Sequence, residues 1–150
     1  MQHESTRARG LAAEQEAARF LESRGLAIVE RNVEIGGGEL DLVALLRGDE
    51  VDVDEAPAEA EPVDTIVFVE VRSRGDLRAG SPLETIGRRK RAHLRRAASA
   101  WLIARGLWER VAVRFDVVSV VGCVRVEAER AENEEAPKIL WIPGAFDADE

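Results

Sequence analysis

Thr65-Ile66-Val67-Phe68-Val69-Glu70-Val71-Arg72 reads as a strand, and its second half decides the fold. Side chains alternate faces along an extended chain. Val67, Val69 and Val71 share one face, and Ile66, Phe68, Glu70 and Arg72 share the other. A carboxylate so deep in an apolar run is costly unless it is paired or bound to a cation. Taken alone, this strand is most simply one that emerges into solvent at Glu70, with Glu70 and Arg72 a surface ion pair.

The preceding strand, Glu39 to Leu46, repeats the anomaly. Strict alternation puts Glu39 and Asp41 with Val43 and Leu45, and Leu40 and Leu42 on the opposite face. If the two strands form an antiparallel hairpin, the start of one lies beside the end of the other, and Asp41 comes near Glu70. Two close carboxylates repel unless a cation or a proton sits between them. Ligands that are all oxygen suit Mg²⁺ or Mn²⁺. The alternative is an Asp in a turn just after Gly36-Gly37-Gly38, and both readings stand at this point.

Outward from this hairpin the elements follow in order. Leu11 to Arg24 reads as a helix stopped by Gly25, and Leu26 to Val33 as a first strand. Leu11, Ala17, Ala18 and Leu21 form one arc of that helix, with Glu14 in its middle. Ser81-Pro82-Leu83-Glu84 has the form of a capping box opening a long second helix that runs to about Arg105. On it Leu83, Ile86, Leu94, Ala97 and Trp101 share an arc that also carries Lys90. Lys90 could snorkel to solvent or aim its ammonium at a phosphate or carboxylate near the sheet. Val111 to Val121 is a fourth strand, followed by a turn at Gly122 into Val124-Arg125-Val126, and Lys138 to Ile142 is a short last strand. Asp116 inside the fourth strand reads as a structural acid that orients a basic neighbour. Trp101, Trp108 and Trp141 read as core or edge packing. The sum is an α/β or α+β sandwich with a mixed sheet.

At 150 residues the chain is one domain over 1–150 with room for a core. No apolar run approaches the roughly 18 residues of a membrane span, and the start has no apolar signal-peptide core. A single cysteine, Cys123, excludes a disulfide scaffold and a Cys-based zinc site. These features predict a soluble cytoplasmic protein.

The net charge of −8 hides a strong asymmetry. Residues 48–64 hold eight acids and no base, a mobile acidic insert, and the rest of the chain is neutral. Residues 127–137 form a second acidic loop. Between Arg72 and Arg105 there are ten bases and two acids. From Thr85 to Trp108 seven bases meet no acid, so the outer stripe of the second helix lacks i,i+4 partners. Unpaired positive charge of this kind suits a phosphate backbone.

Six blocks of the chain together resemble the YraN family of small bacterial proteins. They are Ala13-Glu14-Gln15-Glu16-Ala17-Ala18, Gly37-Gly38-Glu39-Leu40-Asp41-Leu42, Val67-Phe68-Val69-Glu70-Val71-Arg72-Ser73-Arg74, Lys90, Arg114-Phe115-Asp116-Val117-Val118 and Trp141-Ile142-Pro143-Gly144-Ala145-Phe146. The resemblance implies the restriction-endonuclease-like fold of the PD-(D/E)xK nucleases, a central mixed sheet flanked by helices. It implies that Asp41 and Glu70 are the metal-binding acids and that Glu14 supports them, as in branched-DNA resolvases of this fold. Arg72 falls where that superfamily usually has lysine, and Leu40 precedes Asp41 where it has proline. Arginine does not give up its proton. Arg72 then stabilises charge on the phosphate, Lys90 supplies a movable ammonium, and otherwise water is activated by the cation itself.

The expected function is therefore a Mg²⁺- or Mn²⁺-dependent endonuclease acting on DNA, branched or damaged DNA included. Asp41, Glu70, Glu14, Arg72 and Lys90 form its site, and Arg74, Arg88, Arg89, Arg91, Arg95 and Arg96 grip the backbone. One rival is a nucleic-acid-binding module without catalysis. Another is an interaction protein that uses the acidic insert. Self-association stays open.

Overall fold

A computed structural model of the chain describes residues 6–48, 63–74, 86–122, 132 and 135–148. The elements are α1 (Thr6–Ser23), β1 (Ala27–Ile35), β2 (Gly38–Leu46), β3 (Thr65–Arg74), α2 (Arg88–Ala104), β4 (Ala112–Val121) and β5 (Lys138–Phe146). The strands form one sheet in the order β1-β2-β3-β4-β5. β3 and β4 are parallel, joined across α2; every other neighbouring pair is antiparallel. This is an α+β architecture, consistent with a restriction-endonuclease-like core. No helix among the described residues is long and apolar enough to cross a membrane.

Alternation along the central strands explains why a helix lies on each side. Ile66 and Phe68 of β3, with Phe115 and Val117 of β4, pack under Leu94, Ala97, Trp101 and Leu102 of α2. Val67 and Val69, with Val118 and Val120, pack under Ala13, Ala17, Ala18 and Leu21 of α1. Phe68 anchors the first core, 5.7 Å from the Trp101 ring and 5.6 Å from Phe115, which stacks on Phe146 at 4.8 Å. Strands covered on both faces are apolar almost throughout, so the charges that interrupt them are exceptions.

The β1–β2 hairpin seats α2. Ile35 pairs with Gly38 across Gly36 and Gly37, whose φ values are +61° and +76°. Two positive φ values suit a two-residue hairpin loop that matches strand twist. Gly36 also lies under the helix: an added Cβ would sit 3.1 Å from Ala100 Cβ and 3.2 Å from the Arg96 carbonyl oxygen. At Gly37 the same atom meets nothing within 4 Å. Gly37→Ala is therefore expected to carry the backbone penalty alone, about 1–2 kcal/mol. Gly36→Ala is expected to lose a further 1 kcal/mol or so by lifting α2. Chemical denaturation of the two variants measures the difference, and equal losses would dismiss the helix seat.

Several expectations change. The second helix does not run unbroken from Ser81. Ile86 and Gly87 are not helical and α2 begins at Arg88, with Gly87 as an extended N-cap at φ −72°, ψ 168°. Glycine takes that position without a side-chain cap. The expected capping box at residues 81–84 lies outside the described residues, as do most of the two acidic loops, Cys123 and residues 124–126. Leu11 is 48 % exposed, and Ala13 takes its place in the core. Finally, Leu40 and Leu42 do not share a face: Leu40 joins Val43 beneath α2, and Leu42 joins Ala44 beneath α1. β2 thus slips phase at Asp41, one residue beyond the last described pair of its ladder with β3, Leu42↔Val69. β1 and β5 also run longer than expected, to Ile35 and Phe146.

Asp116 is fully inside, 1 % exposed. Its carboxylate accepts two hydrogen bonds from Arg114 at 2.8 Å, one from Trp141 Nε1 at 2.9 Å and one from Gly144 N at 3.0 Å. The last bond holds the irregular stretch where β5 falls out of step with β4. The structural reading of this acid stands.

Candidate active site

The slip in β2 places the candidate carboxylates. Where β2 leaves its ladder, the Val71 N–H of β3 is taken by Asp41 Oδ2 at 2.9 Å. Asp41 is thereby fixed by backbone at the same sheet end as Glu70, and the two carboxyl groups hydrogen-bond to each other. Glu70 is 8 % exposed, on the α2 side with Phe68. Lys90, in the first turn of α2, brings Nζ to 3.4 Å from Glu70 Oε1. Glu70 Oε2 is buried and has no hydrogen-bond partner.

Burial raises the Glu70 carboxyl to about 7, and the Asp41 charge and hydrogen bond push the same way; Lys90 and Arg72 pull against them. The ammonium loses this contest because Lys90 is itself 46 % exposed, where water screens its charge. The group is poised to be half protonated near neutral pH and to welcome further positive charge.

On the α1 side Asp41 opens into a cleft of about 650 Å³ that is also lined by Arg7, Glu14, Asn32, Glu34 and Glu39. Glu14 is raised from the ordinary value by burial first, then by the charges of Asp41 and Glu39; a hydrogen bond with Asn32 and the charge of Arg31 oppose this. Glu14 Oε2, like Glu70 Oε2, is buried without a partner. Among the described residues no three His, Cys, Asp or Glu side chains close into a metal cage by themselves. A hard cation that keeps several waters and takes one or two carboxylates needs no such cage. The donor chemistry therefore fits Mg²⁺ or Mn²⁺ at Asp41 and Glu70, with Glu14 nearby across the cleft.

Sequence reasoning missed Asn32. It lies within β1 with φ +51°, a conformation Asn tolerates better than most residues, and this brings it to Glu14. An Asn inside a strand pattern was the available signal.

Arg72 is half-buried on β3 beside Ser119 of β4, and its Nε and the Ser119 hydroxyl are both buried without partners. The remaining expected arginines lie at the end of β3 and along α2. Arg74 ends β3, and its carbonyl accepts Gly122 N at 2.8 Å. Arg88, Arg89 and Arg96 are exposed on α2, while Arg91 and Arg95 are half-buried. The first turn of α2 thus carries Arg88, Arg89, Lys90 and Arg91 and no acid. Cations there oppose the helix dipole, each by a few tenths to about 1 kcal/mol. Stability alone selects against this arrangement, whereas an incoming anion reverses its sign. His93 is exposed, away from any ligand cluster.

Residues 13–120 match the model of the family described as Uncharacterised protein family UPF0102. A UPF0102 protein of Marinobacter nauticus is 36% identical over 149 residues, covering 99% of this chain and 100% of that protein. One from Pseudomonas aeruginosa is 37% identical over 145 residues, 97% of each. A third, from Burkholderia pseudomallei, is 38% identical over 150 residues, 97% of this chain and 80% of that protein. All three are named for the family rather than for a reaction. The chain belongs to UPF0102, the family to which its YraN-type sequence blocks also lead.

Proposed function

We propose that this protein is a divalent-metal-dependent endonuclease that hydrolyses DNA phosphodiesters. The observation that carries the proposal is the pairing of Asp41 with the buried Glu70, whose second oxygen lacks a partner. Asp41 and Glu70 would hold Mg²⁺ or Mn²⁺, with Glu14 as the supporting acid. When bound, the cation supplies Lewis-acid polarisation of the phosphate and lowers the pKa of water.

The protein's own groups do the rest. The Val71 N–H fixes Asp41, so one ligand is in place before substrate arrives. Lys90 lies at hydrogen-bonding reach of the site on a flexible stem and can follow charge as it develops on the phosphate oxygens. Arg72 contributes a permanent positive charge and serves neither as base nor as acid. Arg74, Arg88, Arg89, Arg91, Arg95 and Arg96 hold the backbone, and binding weakens with salt.

The test is to incubate the protein with single-stranded, duplex, flapped and four-way-junction DNA in Mg²⁺, Mn²⁺ or EDTA, beside Asp41→Ala. Cleavage is expected with metal and is expected to vanish in EDTA and in the variant. Salt-sensitive binding with no cleavage in any sample, unchanged in Asp41→Ala, would make the chain a binding module instead.

A further inference from the structure

A second cavity, of about 290 Å³, lies beyond the carboxylate site along α2. Leu102, Val113 and Phe115 give it apolar walls, and Arg95, Ser99, Trp108 and Glu109 supply its polar and aromatic lining. We propose that it holds an unpaired base of single-stranded DNA, stacked on Trp108, with the phosphates of that strand running along Arg88, Arg91 and Arg95. The inference rests on the nucleic-acid reading above and adds the substrate class to it.

Four observations converge. Trp108 is 47 % exposed, whereas Trp101 is 2 % exposed and fills the core. A half-exposed indole beside a cavity costs apolar exposure that a stacked base removes. Helical spacing puts Arg88, Arg91, Arg95, Ser99 and Leu102 on one stripe of α2. It runs about 16 Å from Arg88 to Ser99 at 1.5 Å per residue, so a strand bound at the basic first turn is led to the cavity. Arg95 sits at the join, its Nη1 donating to the Asp147 carbonyl at 3.3 Å. Last, Glu109 has φ +61°. Among the described residues the non-glycine positions with positive φ are Asn32 and Glu109, and each lines one of these two cavities. Strained backbone gathers where a side chain must be aimed.

The carboxylate also selects what enters. Glu109 repels a phosphate and accepts an N–H from a base edge, the cytosine amino group for example. The bases of an intact duplex are stacked on each other and offer no free face, so the cavity favours unpaired strands.

The test measures binding of the full chain in EDTA to single-stranded dC12 and to a blunt 12-base-pair duplex, by fluorescence anisotropy. Trp108→Ala is expected to weaken dC12 binding roughly 5- to 150-fold and to leave duplex binding within about 2-fold. Trp108→Phe, which keeps a ring, should recover most of the loss. Ser99→Phe fills the cavity from the helix while leaving Trp108 itself unchanged and is expected to reproduce the selective loss. Parent-like dC12 binding by both Trp108→Ala and Ser99→Phe would overturn the base pocket and leave the nuclease reading intact. A parent protein that binds neither DNA would overturn both.

Discussion

Replacing Glu70 with glutamine is expected to abolish metal-dependent cleavage while making the fold more stable above pH 7. The first effect follows from removing a charged ligand and should be on the order of 10³-fold. The second follows from linkage. The folded carboxyl sits at about 7 against an ordinary value of 4.5, because of burial and the neighbouring Asp41. The folded state therefore keeps a proton that the unfolded chain releases. The stability that Glu70 contributes is full below about pH 4.5, declines as pH rises towards 7, and is gone above it. The difference corresponds to about 3 kcal/mol. Glutamine keeps the shape without the charge, so urea unfolding should show the variant ahead by about 2–3 kcal/mol at pH 8 and level with the parent at pH 4. The Lys90 pair lost in the exchange subtracts little, since that ammonium is half exposed. Added Mg²⁺ should stabilise the parent at pH 8 and leave the variant unmoved. A stability difference that does not change with pH would refute this account of the site.

The second large effect lies away from the cleft. Asp116→Ala removes the buried acceptor shared by Arg114, Trp141 and Gly144 and leaves the half-buried Arg114 guanidinium and Trp141 N–H without it. Breaking a buried pair from one side costs about 3–5 kcal/mol. For a chain of this size that is roughly a 10–15 °C fall in melting temperature. Cleavage measured well below the new midpoint should survive, which separates this acid from Asp41 and Glu70. A fall of less than about 1 kcal/mol would show that the network is replaceable by water.

Two neighbouring strands with the same anomaly pointed to the central pair, where either strand alone left a plain surface reading open. Glu70 interrupts an apolar alternation, and an acid there needs a reason whatever the fold. Asp41 was legible for the same cause, but its orientation was not. Strict alternation holds only while the pairing on both sides holds, and at that residue β2 leaves its ladder with β3 while its ladder with β1 runs on. The start of α2 was not legible because the capping pattern at Ser81 is locally sound, and nothing local reveals that Gly87 is the N-cap of α2. Leu11 misled because helical periodicity says which residues share a face, not where along the helix that face meets the sheet. Trp108 could not be told from the buried Trp101 or the half-buried Trp141, since exposure of an aromatic is set by contacts distant in sequence. The family resemblance carried the pairing of Asp41, Glu70 and Lys90 further than periodicity did.

The far end of the β2–β3 hairpin has its own consequence. There Leu46 pairs with Thr65, and Gly48 N donates to Asp64 Oδ1 at 3.1 Å. This clasp closes the hairpin before the intervening residues begin, at Leu46 roughly 17 Å along the strand from Asp41 at about 3.4 Å per residue. Doubling a flexible connection adds only about 0.6 kcal/mol of closure entropy. Evolution can therefore lengthen, shorten or recompose residues 49–62 without moving a carboxylate. The same junction is a natural place to graft a reporter or an affinity tag while keeping the Asp41–Glu70 end untouched.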